Sequence, residues 1–252
     1  MSIKGCVAVL VLLLVSPAIS MGQAQITLDP EGYFKGPGFN FLVYHNTYIG
    51  GRQGGLQMLL HGTRVLDAGN ILCRTVDGKK YGYYTDNEIR LGEREVDLDN
   101  NVAAIPGEFL DLGIKYKLAV STDGRSMTLS ARLEKPVDWQ KVAECSLRIE
   151  IFPEAYFNKT YMGGGIADWF RERHMGRRVL IPSATEIVVA PEDTHLKMTL
   201  GAKNAVLSMR DERRDLRVSG YMVFASLPPG SQETEFALSI APELDRRGGV
   251  RR

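Results

Sequence analysis

The stretch Met127-Thr-Leu-Ser-Ala-Arg-Leu133 decides the fold class of this chain, because apolar and polar side chains alternate along all of it. Successive side chains of a β-strand point to opposite faces, so a period of two predicts a strand with one buried and one solvated face. The same alternation recurs over Leu196–Leu200 and Glu235–Ile240. Half-buried strands of this kind are typical of antiparallel sheets.

Turn-forming residues separate the predicted strands. Examples are Asp77-Gly78, Asp99-Asn-Asn101, Thr122-Asp-Gly124 and Pro228-Pro-Gly230. Glycine, proline, asparagine and aspartate supply the backbone angles that tight hairpins need. The sequence therefore predicts an all-β fold, an antiparallel β-sandwich, with a large two-sheet sandwich as one form of it.

One segment departs from the strand pattern. Ala167-Asp-Trp-Phe-Arg-Glu-Arg-His174 lies between the glycine run Gly163-Gly-Gly165 and Gly176. Its composition and its glycine boundaries favour a short helix that interrupts the sheet. We therefore expect this segment to be almost the only helix after the N-terminal region.

The N-terminus has the three parts of a secretory signal peptide: Lys4, the apolar run Cys6–Val15, and small residues at Ala18 and Ser20. The apolar run is shorter than the about 20 residues of a membrane-spanning helix, which leaves a retained anchor as the minor alternative. The expected location is therefore secreted or periplasmic. The predicted organisation is a signal peptide at 1–24, one β-sandwich domain at 25–243 and a disordered basic tail at 244–252.

The charge balance argues against a nucleic-acid partner. The chain has 31 Lys and Arg residues against 30 Asp and Glu residues, so no overall positive field would attract a polyanion. The locally basic tail at 244–252 is interpreted as a solvated end rather than a binding arm.

Two cysteines, Cys73 and Cys145, remain after removal of a signal peptide. In an oxidising compartment they could form a disulfide, and as small hydrophobes they could equally stay free and buried. Neither has a Cys or His neighbour at the spacing of a zinc site, so no metal site is predicted. Nothing in the sequence predicts a cofactor.

Three motifs carry a resemblance to a known family. They are Gly54-Gly-Leu-Gln-Met-Leu-Leu-His-Gly-Thr-Arg64, Phe152-Pro-Glu-Ala-Tyr-Phe-Asn-Lys-Thr-Tyr161 and Ile187-Val-Val-Ala-Pro-Glu-Asp193. Their order and separation resemble the N-terminal β-sandwich module of bacterial secreted glycoside hydrolases similar to family 9. The resemblance covers about Gly32 to Pro242.

The resemblance implies a carbohydrate-associated role without catalysis. In enzymes of that kind the two catalytic carboxylates belong to a separate helical barrel that follows the sandwich, so no catalytic residue is assigned to this chain. The expected function is a glycan-binding or scaffold module. Its expected partners are a polysaccharide or oligosaccharide, and a glycoside hydrolase catalytic domain.

Aromatic side chains near turns are the candidate carbohydrate contacts, because aromatic rings can stack on the apolar faces of sugars. Tyr81, Tyr83 and Tyr84 follow two lysines on an expected hairpin, and Tyr161 and Trp169 lie near the Phe-Pro turn. Packing in the interior is the alternative role for each of these rings.

Other functions remain open. The first is a sandwich enzyme similar to sugar mutarotases, in which His61 and one of Glu150, Glu154 or Glu192 would act as base and acid. A purely structural envelope protein is the second. The third is that the chain is a truncated piece of a larger glycoside hydrolase.

Overall fold

The structure is a computed structural model that describes residues 25–46, 53–82, 89–176, 178–213 and 220–244. The expected signal peptide at 1–24, the candidate residues Tyr83 and Tyr84, and all but the first residue of the expected tail lie outside the described residues. In the described part of the chain, every helix is too short or too polar to cross a membrane.

The described residues form twenty strands and one α-helical turn. In chain order they are β1 (Thr27–Leu28), β2 (Tyr33–Gly36), β3 (Phe39–Asn46), β4 (Gln53–Leu60), β5 (Thr63–Thr75), β6 (Lys80–Tyr81), β7 (Ile89–Leu91), β8 (Glu95–Asp97), β9 (Val102–Phe109), β10 (Ile114–Thr122), β11 (Met127–Leu133), β12 (Val142–Ile151), α1 (Pro153–Tyr156), β13 (Thr160–Gly163), β14 (Ile166–Trp169), β15 (Val179–Ala184), β16 (Glu186–Val189), β17 (Met198–Lys203), β18 (Val206–Asp211), β19 (Tyr221–Ser226) and β20 (Glu235–Pro242). A 3-10 turn at Leu110–Leu112 precedes β10.

The strands pair into two ten-stranded antiparallel sheets. The first sheet has the order β1-β2-β3-β4-β5-β12-β19-β18-β15, and β6 pairs with β5. The second sheet has the order β14-β13-β16-β17-β20-β11-β10-β9-β7, and β8 pairs with β9. The prediction of an all-β fold with antiparallel sheets is confirmed. The fold is the large two-sheet form of the sandwich.

The inner faces of the two sheets share one hydrophobic core. In β11 the apolar positions 127, 129, 131 and 133 are buried, as the alternation predicted. Ile71 and Leu147 of the first sheet belong to the same cluster as Leu129 and Leu238 of the second. Burying these side chains gives about 25 cal/mol for each Å² of apolar surface removed from water, which favours closing the two sheets on each other.

The predicted helix at Ala167–His174 is wrong. Residues 166–169 form β14, an edge strand that pairs with β13 from Thr160↔Trp169 to Gly163↔Ile166. The two residues between the paired strands, Gly164 and Gly165, have φ angles of 56° and 77°. Positive φ at both positions of a two-residue loop is typical of a type I′ turn, the hairpin connection that Gly-Gly favours. The glycine run was thus a hairpin signal rather than a helix boundary.

Cys73 and Cys145 are direct neighbours in the centre of the first sheet. They are paired residues in the ladder between β5 and β12, and their sulfur atoms lie 3.4 Å apart as two buried free thiols. The contact with Cys145 and the burial of the site both raise the pKa of the Cys73 thiol well above its ordinary value. Both side chains belong to the hydrophobic core.

Candidate functional site

A cleft of about 270 Å³ lies where the edge strand β14 of the second sheet approaches β15, β18 and β19 of the first sheet. Strands far apart in the sequence therefore supply its walls. Its lining consists of Tyr161, Asp168, Trp169, Arg171, Arg173, Met175, Leu180, Asp211 and Tyr221. We call it the Trp169 cleft.

Buried aromatic rings support the Trp169 cleft from below. Phe170 is fully buried, and its ring centroid lies 4.6 Å from that of Tyr221, 4.9 Å from that of Tyr161 and 5.8 Å from that of Tyr156. Tilted rings at these separations pack favourably. Phe170 directly follows β14, so this cluster fixes the end of the strand that carries Trp169.

Trp169 presents an aromatic surface to solvent beside the cleft. The residue is 49% exposed, while its neighbour Phe170 is buried. The guanidinium of Arg171 lies 4.2 Å from the indole centroid and also approaches Asp168 Oδ1 at 3.4 Å. The same Asp168 oxygen accepts a hydrogen bond from the backbone N–H of Trp169 at 2.9 Å. These contacts hold the indole and its neighbouring charges in one arrangement.

The segment after β14 forms a fixed wall of the cleft. The hydroxyl of Tyr221 donates to the backbone oxygen of Arg171 at 2.6 Å, and Arg213 Nη1 donates to the backbone oxygen of Glu172 at 2.8 Å. The side chain of Glu172 accepts a hydrogen bond from Asn158 Nδ2 at 3.0 Å. The wall is therefore connected to β19, to the residues after β18 and to the loop between α1 and β13.

Asp211 brings a buried negative charge to the cleft and is neutralised by Arg213. Two hydrogen bonds, from Arg213 Nε at 2.8 Å and from Nη2 at 2.7 Å, reach its two carboxylate oxygens. This interaction raises the pKa of Arg213 above its ordinary value. Burial raises the pKa of Tyr221, so its hydroxyl stays protonated at neutral pH and remains a hydrogen-bond donor.

The charges that line the Trp169 cleft are balanced. Asp168 and Asp211 contribute two negative charges, and Arg171 and Arg173 contribute two positive charges. Arg213, which pairs with Asp211 outside this lining, adds one further positive charge, so the cleft combines hydrogen-bond donors and acceptors with a small net charge. It suits a neutral ligand that carries several hydroxyl groups better than a highly charged one.

Two of the motifs that carry the family resemblance meet beside α1. Lys159 Nζ lies 2.6 Å from Asp193 Oδ2, and the backbone N–H of Thr160 donates to Glu192 Oε1 at 2.7 Å. The hydroxyl of Tyr156 donates to the backbone oxygen of Leu196 at 3.0 Å. In the structure these motif residues connect α1 and β13 to the loop after β16, and so they position the hairpin that carries Trp169.

The structure brings Tyr161 and Trp169 together at one cleft, and it places Tyr81 elsewhere. Tyr161 is only 1% exposed, so it contributes part of the floor rather than a free stacking surface. Tyr81 is 2% exposed on β6, where its ring packs 5.8 Å from that of Phe109 and belongs to the core. Sequence reasoning did not single out Arg171, Asp211 or Tyr221, because only the fold places them beside Trp169.

His61 and its candidate carboxylates lie on different elements. His61 is exposed in the turn between β4 and β5, and its ring packs edge to face with that of His195 at 5.2 Å. Glu150 is buried on β12, and Glu154 is exposed on α1. Glu192 accepts a hydrogen bond from the backbone N–H of Thr160. The described residues hold no group of three or more side chains suited to a metal ion.

Comparison with known proteins finds solved structures that resemble this chain in part, at low sequence identity. No family model matches the chain, and no curated protein matches it. Slr1438 from Synechocystis sp. PCC 6803 has 11% identity and a TM-score of 0.46, over 82% of this chain and 93% of that one.

Two solved glycosidases are also similar in part. A beta-arabinopyranosidase has 9% identity and a TM-score of 0.47, over 86% of this chain and 40% of its own. A glycoside hydrolase family 97 enzyme from Pseudoalteromonas sp. strain K8, solved with acarbose, has 6% identity and a TM-score of 0.42, over 87% of this chain and 36% of its own. The chain thus spans well under half the length of both enzymes, and membership of family 9 is not shown.

Proposed function

We propose that this protein is an exported β-sandwich that binds a neutral glycan in the Trp169 cleft without cleaving it. The observation that carries the proposal is the exposed indole of Trp169 beside a cleft lined by both acidic and basic side chains. The N-terminal pattern at 1–24 supports export to a secreted or periplasmic location.

The physical basis is the two-sided nature of a sugar ring. Its C–H faces pack on aromatic rings, and its hydroxyls need donors and acceptors in the same site. Trp169 offers the aromatic surface, and Asp168 and Arg173 offer polar groups at the same cleft. The cluster of tilted aromatic rings around Phe170 keeps the cleft in one shape, so little conformational entropy is lost when a ligand binds.

The test is calorimetric titration of the chain from Gln25 onward with a panel of neutral plant and microbial polysaccharides and their oligosaccharides. Trp169→Ala should weaken binding about tenfold, because a stacked ring contributes about 1 kcal/mol or somewhat more. Its melting temperature should stay close to that of the wild type, since the side chain is exposed. Leu98→Ala, at another exposed apolar side chain, is the matched control and should bind normally.

Three results would overturn the proposal. Equal affinity of Trp169→Ala and the wild type would place the glycan elsewhere on the molecule. Absence of binding to the whole panel would favour the scaffold function, with a glycoside hydrolase catalytic domain as the partner. Release of reducing ends that is lost in one carboxylate variant would instead show that the sandwich is itself an enzyme.

A further inference from the structure

A second cleft, of about 400 Å³, opens on the outer face of the first sheet. Its apolar floor is formed by Leu72 and Phe224, which are 2% and 3% exposed. Ile71 and Cys73 belong to the core between the sheets, so Leu72, which lies between them on β5, points to the opposite face. The cleft is therefore separated from the core by the sheet itself.

The charged lining of this second cleft has more cations than carboxylates. It contains the cations Arg74, Lys80, Arg178 and Arg210 and the carboxylates Glu144 and Glu212. These six described residues have a formal charge of +2, whereas the whole chain has +1. A concave site with an excess of positive charge attracts ligands of the opposite sign.

The ion pairs show where the excess positive charge lies. Arg178 and Glu212 form a bidentate pair, with distances of 3.1 Å from Nε and 2.6 Å from Nη2 to the two carboxylate oxygens. Glu144, by contrast, is shared by two guanidinium groups, because Arg74 Nε lies 3.3 Å from Oε2 and Arg210 Nη2 lies 3.8 Å from Oε1. One carboxylate therefore faces two positive charges.

The same group of residues also offers a buried hydrogen-bond acceptor. Glu144 Oε1 is buried and accepts no hydrogen bond from the described residues, since 3.8 Å to Arg210 is too long for one. The Arg210 guanidinium is held 4.6 Å from the ring centroid of Phe224, which limits its movement toward Glu144. A hydroxyl group of a ligand could donate to this oxygen.

We propose that the second cleft binds a sugar that carries an oxyanion, either the carboxylate of a sugar acid or the phosphate of a sugar phosphate. The oxyanion lies among Arg74, Lys80 and Arg210, where guanidinium groups match the geometry of carboxylate and phosphate oxygens. A neighbouring hydroxyl donates to Glu144 Oε1 above the floor that Leu72 and Phe224 form. This site is distinct from the Trp169 cleft and does not depend on it.

The test is titration of the chain from Gln25 onward with glucuronate, glucose 6-phosphate, inorganic phosphate and glucose. Glucuronate or glucose 6-phosphate should bind at least tenfold more tightly than glucose, and binding should weaken as salt is added. Competition by inorganic phosphate would identify phosphate as the recognised group. Binding of glucuronate without such competition would identify the carboxylate.

Variants separate this site from the rest of the surface. Arg210→Gln should reduce affinity at least tenfold, and Lys80→Gln, at an exposed position on β6, tests the same site with little risk to folding. Arg132→Gln is the matched control, because Arg132 is an exposed arginine of the second sheet paired with Glu235. Trp169→Ala should leave the binding of the anionic sugar unchanged.

The proposal fails if neither anionic sugar binds more tightly than glucose. It fails equally if Arg210→Gln and Lys80→Gln both bind like the wild type. Loss of anionic-sugar binding in Trp169→Ala would place that ligand in the Trp169 cleft instead. This last result would contradict the second site, whereas the proposed function of the Trp169 cleft is tested separately by the panel of neutral glycans.

Discussion

At the scale of single residues, Asp193 connects α1 and β13 to the loop after β16. Its Oδ2 lies 2.6 Å from Lys159 Nζ, and its Oδ1 accepts the backbone N–H groups of His195 at 2.9 Å and Leu196 at 3.0 Å. Burial by itself would raise the pKa of Asp193, but these hydrogen bonds outweigh it and lower the pKa below the ordinary 3.8.

This shift has a defined sign for stability. The folded protein holds the charged carboxylate more strongly than the unfolded chain does, so the stabilisation is complete above the unfolded pKa. It is lost as the pH falls through 3.8 toward the lower folded value.

Asp193→Asn should therefore lower the free energy of unfolding by about 0.5–1 kcal/mol at neutral pH, because it removes the charge but keeps an oxygen acceptor. Below the folded pKa the variant and the wild type should be equally stable. Urea denaturation between pH 7 and pH 2 measures this difference. Asp99→Asn, at an exposed turn, is the control and should show no such convergence.

The cysteine pair gives a second prediction at this scale. Both thiols are buried and the pKa of Cys73 is raised, so the reactive thiolate is rare and inaccessible in the folded protein. In the chain from Gln25 onward, purified with reductant, a thiol reagent should modify two cysteines after unfolding and react very slowly before it. A second sample, purified and unfolded without reductant, is the comparison. If the reagent finds no thiol in that sample, the two cysteines form a disulfide.

At the scale of elements, the hairpin of β13 and β14 depends on its glycines for different reasons. Gly164 has a φ of 56°, and a Cβ atom built on it would lie 2.1 Å from the backbone oxygen of Ser183. Gly165 has a φ of 77°, but a Cβ atom there would meet nothing within 4 Å. The first glycine is thus required by backbone angle and by space, the second by backbone angle alone.

Gly164→Ala should destabilise the protein by about 2–4 kcal/mol, since the strained backbone angle and the steric overlap act together. Gly165→Asn should cost less than about 1 kcal/mol, because asparagine tolerates positive φ. Thermal unfolding of both variants measures the difference. Equal destabilisation by the two substitutions would show that the hairpin is not held against Ser183.

At the scale of the whole molecule, the C-terminal strand β20 lies in the middle of the second sheet. β20 lies between β17 and β11, and its Phe236, Leu238 and Ile240 are fully buried. The strands on the β17 side of this sheet can therefore join those on the β11 side only after residues 235–242 have been synthesised. Contacts of such long sequence separation make folding slow.

A chain that ends at Thr234 should fail to fold into a soluble monomer, because β11 and β17 would both expose unpaired edges and the core would lose three large side chains. A chain that ends at Leu244 should fold normally. Size-exclusion chromatography and circular dichroism of the two chains provide the comparison. A cooperative unfolding transition in the shorter chain would contradict the assigned place of β20.

Much of the fold could be predicted because strand alternation and hairpin turns are local properties. The pattern from Met127 to Leu133 indicated the correct buried face, and the turn at Thr122–Gly124 joins β10 to β11 as expected. The hairpin at Gly164-Gly165 was equally readable, but its neighbours Ala167–His174 have the composition of a helix. Pairing of β14 with β13 overrode that local preference.

The sequence alone determined the fold class, because the side-chain period along a strand is visible in consecutive residues. Only the tertiary structure decided which strands are neighbours, such as β12 between β5 and β19, and therefore that Cys73 meets Cys145. It also decided that Tyr81 is buried while Trp169 is exposed, and that Arg74 and Arg210 share Glu144. These arrangements join residues far apart in the chain, and their energies depend on contacts that exist only when both sheets are formed.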